Sequence, residues 1–167
     1  NFVLKGPTMK KIFLYIFSFL FITPVFSDGH NLEFIFSGTL NIDELNFRND
    51  KFQIIKANGT SIITKSEIDS LPINSIQGKK CVFYSKVIDG ESTLEGSCLI
   101  KDIDGDTISS FLIRKGVIGK AASGGEEVLT GLTGKYKGLS GKCTYNVKFV
   151  RNVELSGVTF NKCKISK

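Results

Sequence analysis

The stretch Lys79–Lys101, KKCVFYSKVIDGESTLEGSCLIK, decides the fold. Asp89-Gly90 lies between two alternating runs, and a two-residue Asp-Gly loop is typical of a type I′ β-hairpin because glycine adopts positive φ without a Cβ clash. This loop fixes the register, so that residues facing each other have numbers that sum to 179. Cys81 then faces Cys98 at a non-hydrogen-bonded pair, where Cα atoms lie about 4.5 Å apart, a separation that suits a disulfide. We therefore predict one hairpin closed by a Cys81–Cys98 disulfide.

The two faces of this hairpin differ in polarity. One face carries mainly apolar side chains, those of Cys81, Phe83, Val87, Leu94, Cys98 and Ile100. Because side chains alternate along a strand, the polar residues fall mostly on the opposite face. We expect the first face to belong to the core, with the ring of Phe83 covering the space that Gly96 leaves across the pair.

Residues 1–27 are predicted to lie outside the folded domain. Met9-Lys10-Lys11 forms a basic segment, Ile12–Ile22 an apolar one, and Val25-Phe26-Ser27 a cleavage site, the pattern of a secretory signal peptide. Asn1–Thr8 precede the expected start codon. A retained membrane anchor is the alternative, but it needs about 20 apolar residues. We therefore expect a single secreted domain over residues 28–167, and no membrane span once the signal is removed.

Charge and cysteine content limit what this domain does. Without Lys5, Lys10 and Lys11, 19 basic residues stand against 16 acidic ones, a net charge of +3 that argues against a nucleic-acid partner. Four cysteines in an exported chain favour two disulfides, which persist in the periplasm or outside the cell. A metal site is the weaker interpretation, since there is no C-x-x-C motif and the single histidine is His30.

The second disulfide then joins Cys143 to Cys163. Lys142–Val150 alternates strongly, and this pairing requires facing residues whose numbers sum to 306, with a three-residue connection around Asn152–Glu154. However, Cys163 is out of phase with the apolar residues before it in the last strand. A bulge near Gly157 would reconcile the pairing with that phase.

The remaining chain consists of short strands and turns. Asn31–Leu40 is a predicted first strand, and Lys51–Thr64 a second hairpin that turns at Asn58-Gly59. Ser66–Asp69 is the only helical candidate after the leader, a single turn. Thr107–Arg114 is a further strand. Eight or nine short strands indicate an all-β sandwich or barrel.

The acidic turn DIDGD is a weak metal candidate. Asp102, Asp104 and Asp106 alternate as oxygen ligands of Ca²⁺ can, but an EF-hand loop also needs a glutamate at its twelfth position, where Ile113 stands. A plain turn is the preferred interpretation. No Ser/His/Asp or free-cysteine arrangement supports nucleophilic catalysis, and we predict no catalytic residues and no cofactor.

One segment carries a family resemblance. Asp104-Gly105-Asp106, followed by the run GKYxGLxGxxTY from Gly134 to Tyr145, resembles part of small secreted bacterial proteins similar to the allene oxide cyclase-like and dirigent-like β-barrels. The match covers about residues 102–145. The resemblance implies an antiparallel barrel of about eight strands with an apolar interior, often oligomeric. It does not extend to the cyclase reaction, because that enzyme's pocket residues are not matched.

The leading functional hypothesis is a non-enzymatic binding or interaction protein. Its ligand would be a small apolar molecule inside the barrel, and its partner otherwise another secreted protein. The candidate ligand-binding residues are Phe83, Tyr136, Tyr145 and Phe149. The alternative is a cofactor-free isomerase or cyclase that acts on an apolar substrate through tyrosine and carboxylate groups.

Overall fold

Eight antiparallel strands form one closed barrel. The computed structural model describes residues 29–47, 50–117, 124–150 and 156–167. Each strand pairs with the next along the chain, and β1 pairs with β8 to close the ring. The strands are β1 (His30–Phe47), β2 (Asp50–Ser66), β3 (Ile76–Ile88), β4 (Glu91–Lys101), β5 (Thr107–Val117), β6 (Gly124–Gly131), β7 (Ser140–Val150) and β8 (Ser156–Ser166). The predicted all-β barrel is confirmed, whereas the predicted signal peptide lies outside the described residues.

The β3–β4 hairpin has the predicted register. Ile88 faces Glu91, and Cys81 faces Cys98, to which it is bonded. Asp89 and Gly90 have φ values of 49° and 81°, as a type I′ turn requires. The apolar face of the hairpin lies inside the barrel. The Phe83 ring covers Gly96, which it faces across the strand pair. The contact is so close that a Cβ on Gly96 would stand 2.6 Å from the Cδ1 atom of Phe83.

The hairpin predicted at Asn58-Gly59 is wrong. These residues lie in the middle of β2, which runs unbroken from Asp50 to Ser66 beside β1. Gly59 pairs with Gly38, and a Cβ on Gly59 would stand 2.5 Å from the Gly38 Cα atom. Glycine is therefore required here by the close approach of two strands, and not by a turn. β1 and β2 instead remain paired as far as Phe47, which faces Asp50.

The Cys143–Cys163 disulfide is confirmed, but the predicted bulge near Gly157 is wrong. β7 and β8 keep a single register, from Ser140 facing Ser166 to Val150 facing Ser156. The phase conflict is resolved in another way, because Asn161 points inward and is buried while Phe160 points outward and is exposed. The predicted three-residue connection falls outside the described residues.

Two connections, β2–β3 and β6–β7, place buried side chains at one end of the barrel, which we call the closed end. The predicted helical turn after Ser66 is wrong, because the Ser66 hydroxyl accepts the Ile68 N–H at 3.0 Å and the chain continues through turns. Leu71 of this connection, 1% exposed, packs into the barrel. Tyr136 and Leu139, which precede β7, join the same buried cluster.

Candidate functional site

The opposite half of the barrel contains a cavity of about 280 Å³. We call it the barrel cavity. Its wall is mostly apolar and includes the side chains of Phe36, Leu40, Ile55, Phe83, Leu94 and Leu112. Every strand except β6 contributes residues to this wall, because every second side chain of a barrel strand points inward. Apolar side chains that would otherwise be core residues therefore surround an open volume.

The barrel cavity brings together three of the four predicted ligand-binding residues. Phe83, Tyr145 and Phe149 all line it. Tyr136 lies in the closed-end cluster instead, and its hydroxyl donates a hydrogen bond to Asp102 at 2.8 Å. The alternation of β7 places Tyr145 and Phe149 on the inner face, whereas Tyr136 enters the barrel from a connection. Tyr136 is therefore part of the packing at the closed end and does not line the barrel cavity.

An ion pair lies inside the barrel, next to the cavity. The Lys79 Nζ atom is 2.7 Å from Glu127 Oε1, and the two side chains are 3% and 0% exposed. The ammonium also lies 5.4 Å from the centre of the Phe34 ring and 5.4 Å from that of Phe36, an arrangement that favours a cation. Lys79 lines the cavity. The ion pair therefore places two charged side chains next to the cavity, but their charges cancel each other.

The other polar residues of the wall include Arg114 and Tyr145. Burial raises the pKa of the Tyr145 hydroxyl, the positive charge of Arg114 opposes this, and the negative charge of Glu127 adds to it. The tyrosine is therefore neutral, a hydrogen-bond donor. Arg114 is half-buried and forms no ion pair within the described ranges.

The acidic turn forms a hydrogen-bonded network at the closed end. Lys135 Nζ lies 2.7 Å from Asp102 Oδ2 and 2.7 Å from Asp104 Oδ2, while Asp106 accepts the Lys135 backbone N–H. A lysine ammonium thus lies between two of the three candidate calcium ligands. Across the part of the chain that the structure describes, no three His, Cys, Asp or Glu side chains are placed to hold a metal ion.

We expect this network to make stability depend on pH in acid. Burial alone raises the pKa of Asp102, but hydrogen bonds from Lys135, Tyr136 and the Asp106 backbone outweigh burial and lower it. Because the folded pKa lies below the unfolded value of about 3.9, the contribution is present above that value and is lost as the pH falls through the folded pKa. Asp102→Asn should therefore flatten the fall in unfolding free energy below about pH 4.

Urea titrations at a series of acidic pH values measure this slope. Asp104→Asn is the matched control, because the Asp104 side chain is 66% exposed and should change the slope much less. Equal slopes for the wild type and Asp102→Asn would contradict the assignment.

Neither the known protein families nor the curated proteins include a match to this chain. In the described ranges, no helix has the length and apolar character that a membrane span needs. The two disulfides, Cys81–Cys98 and Cys143–Cys163, are consistent with a non-cytoplasmic protein.

The sequence interpretation missed the charged groups inside the barrel, although a signal was present. Lys79 is two residues from Cys81 and so shares its inward phase, and Glu127 shares that of Leu129. Arg114 likewise follows Leu112. A charged residue at a position where the alternation of the strand predicts an inward-facing apolar side chain therefore indicates a charged group inside the barrel.

Proposed function

We propose that this is a secreted or periplasmic binding protein that holds a small, largely apolar ligand in the barrel cavity. The observation that supports it best is the contrast between the two halves of the barrel. Leu71 and Leu139, each 1% exposed, fill the closed end, whereas the other half keeps a volume of about 280 Å³ behind an apolar wall. Eight-stranded barrels are wide enough to hold one small ligand.

The size of the barrel cavity limits the ligand. A volume of 280 Å³ corresponds to roughly nine water molecules at about 30 Å³ each. Pockets for drug-sized molecules start at about 300 Å³. The expected ligand is therefore compact, with on the order of ten non-hydrogen atoms, and several rings of the wall are placed to pack against an aromatic or branched body.

A cofactor-free isomerase or cyclase is the second candidate. The feature in its favour is the Tyr145 hydroxyl, which lines the cavity and could donate a hydrogen bond to a bound substrate. Burial raises the pKa of this hydroxyl, however, and so makes it a weaker proton donor. Binding alone remains the preferred function, since the nearby carboxylate of Glu127 is already paired with Lys79. Kinship with the allene oxide cyclase-like and dirigent-like proteins is likewise a proposal, supported by the GKYxGLxGxxTY run.

Filling the barrel cavity should abolish binding. We expect 4-phenylbutan-1-ol at roughly ten times its Kd to raise the Tm of the wild type by about 4 °C. Val147→Trp places an indole in the cavity, which Val147 lines, and should remove this shift. The matched control is Val82→Trp, because Val82 is 57% exposed on the outer face. Differential scanning fluorimetry with and without the alcohol measures all three proteins.

Two results would contradict this proposal. An absence of any shift in the wild type, both with this alcohol and with the carboxylate analogue that keeps its phenylbutyl body, would remove the small-ligand function and leave another secreted protein as the partner. An equal shift in the wild type and Val147→Trp would place the binding site outside the cavity.

A further inference from the structure

The barrel cavity has two cationic side chains in its wall, and they are not equivalent. Lys79 is held by Glu127 at 2.7 Å, so its charge is compensated before any ligand enters. Arg114 points inward from β5, is half-buried, and has no carboxylate partner among the described residues. Among the described residues that line the cavity, Arg114 is therefore the one cationic side chain whose charge is not compensated.

This charge makes a neutral ligand a poor match. A ligand that fills the cavity removes water from the guanidinium, and a guanidinium is not deprotonated in proteins. Desolvating a charge without a partner is costly, whereas an anion in the same place compensates it through charge-assisted hydrogen bonds. The electrostatics of the wall thus favour a ligand with one negative group.

A second donor lies beside Arg114. Gly125 of β6 faces Tyr145 of β7, and the β5–β6 register, extended by one residue beyond Ile113, places Arg114 on the other side of Gly125. Gly125 has no side chain to separate them, and a Cβ there would stand 2.7 Å from the Tyr145 hydroxyl oxygen. The positive charge of Arg114 also acts on Tyr145. Guanidinium and phenol therefore face the same part of the cavity.

We infer that the ligand is a compact organic monoanion, with a carboxylate bound by Arg114 and Tyr145 and an apolar body packed against the aromatic wall. This inference rests on the proposed function and specifies its ligand class. Arg114 supplies the charge and a planar pair of donors that fits a carboxylate. Tyr145 supplies one further hydrogen bond.

Three probes with the same phenylbutyl body test the inference: 4-phenylbutyrate, 4-phenylbutan-1-ol and 4-phenylbutylamine. Isothermal titration calorimetry at low salt should show that the acid binds roughly tenfold or more tightly than the alcohol, because hydrogen bonds to charged groups are about twice as strong as neutral ones. The amine should bind most weakly, since like charges repel. Raising the salt concentration should weaken the binding of the acid and leave the affinity for the alcohol unchanged.

Variants assign the preference to Arg114. Arg114→Gln should lower the affinity for the acid to that for the alcohol, while the affinity for the alcohol stays the same or improves. Arg114→Lys keeps the charge without the planar donors and should retain an intermediate preference. The matched control is Lys115→Gln, which removes the same charge from the next residue, exposed on the outer face.

The outcomes separate this inference from the proposed function. If the alcohol binds as tightly as the acid to the wild type, the ligand class is wrong and the small-ligand function stands. If neither binds, the proposed function is wrong as well. An acid preference that persists in Arg114→Gln, or that Lys115→Gln removes, would overturn the assignment to Arg114.

Discussion

Breaking the Lys79–Glu127 ion pair is expected to lower the free energy of unfolding by about 3–5 kcal/mol. Lys79→Met leaves a carboxylate that is 0% exposed with no counter-ion, and Glu127→Leu leaves an ammonium that is 3% exposed in the same position. Each single variant therefore buries an uncompensated charge. The cost arises from this stranded partner, because the attraction within a buried pair does little more than offset its own desolvation.

The double variant distinguishes this explanation from simple loss of packing. Lys79→Met combined with Glu127→Leu removes both charges and should recover most of the stability that either single change loses. The matched controls are Lys80→Met and Glu126→Leu, which alter exposed neighbours on the outer face and should change stability by about 0.5 kcal/mol at most. Urea denaturation of the set measures the cycle. Losses that add in the double variant would show that the two side chains act independently.

Removing either disulfide is expected to cost about 3 kcal/mol. Their sequence separations of 17 and 20 residues are similar, so the unfolded chain gains a similar entropy when either is lost. The bridges lie in different core clusters, and their effects should be roughly additive. A total of about 6 kcal/mol would consume much of the 5–15 kcal/mol typical of a domain.

Paired Cys→Ala variants of each bridge, followed by urea denaturation, measure these losses. Cleavage of the unreduced wild type and mass analysis of the peptides provides the control, since it must recover Cys81 joined to Cys98 and Cys143 joined to Cys163. A fully reduced protein that keeps the wild-type stability would contradict the prediction.

Two similar dipeptides show how far the sequence determines this fold. Asp89-Gly90 and Asn58-Gly59 both carry the signal of a two-residue hairpin, but only the first forms one. The second lies where β1 and β2 approach closely at Gly38. Local turn preference is weaker than the packing of two long strands, and the partner strand is not visible in the local pattern. The register at Asp89-Gly90 could be predicted because two facing cysteines gave the same answer independently.

The candidate site was predictable only in part, for a related reason. The alternation of side chains along the strands predicts that Phe83, Tyr145 and Phe149 point inward. It does not predict which end of the barrel is filled by packed side chains. That depends on connections such as the one carrying Leu71, whose burial results from tertiary packing. The same limit explains why the sequence does not distinguish Tyr136 from Tyr145, although the two lie in different halves of the barrel.

The pairing of β1 with β8 has a consequence for biogenesis. Seven of the eight strand pairs join neighbours along the chain, but this one joins strands that stand first and last in the order. Its partners, such as His30 and Ile165, are far apart in sequence, and contacts of this kind form slowly. The ring cannot close while β8 is still being synthesised. Until then β1 and β7 each keep an unpaired edge, and association with another chain would begin at such an edge.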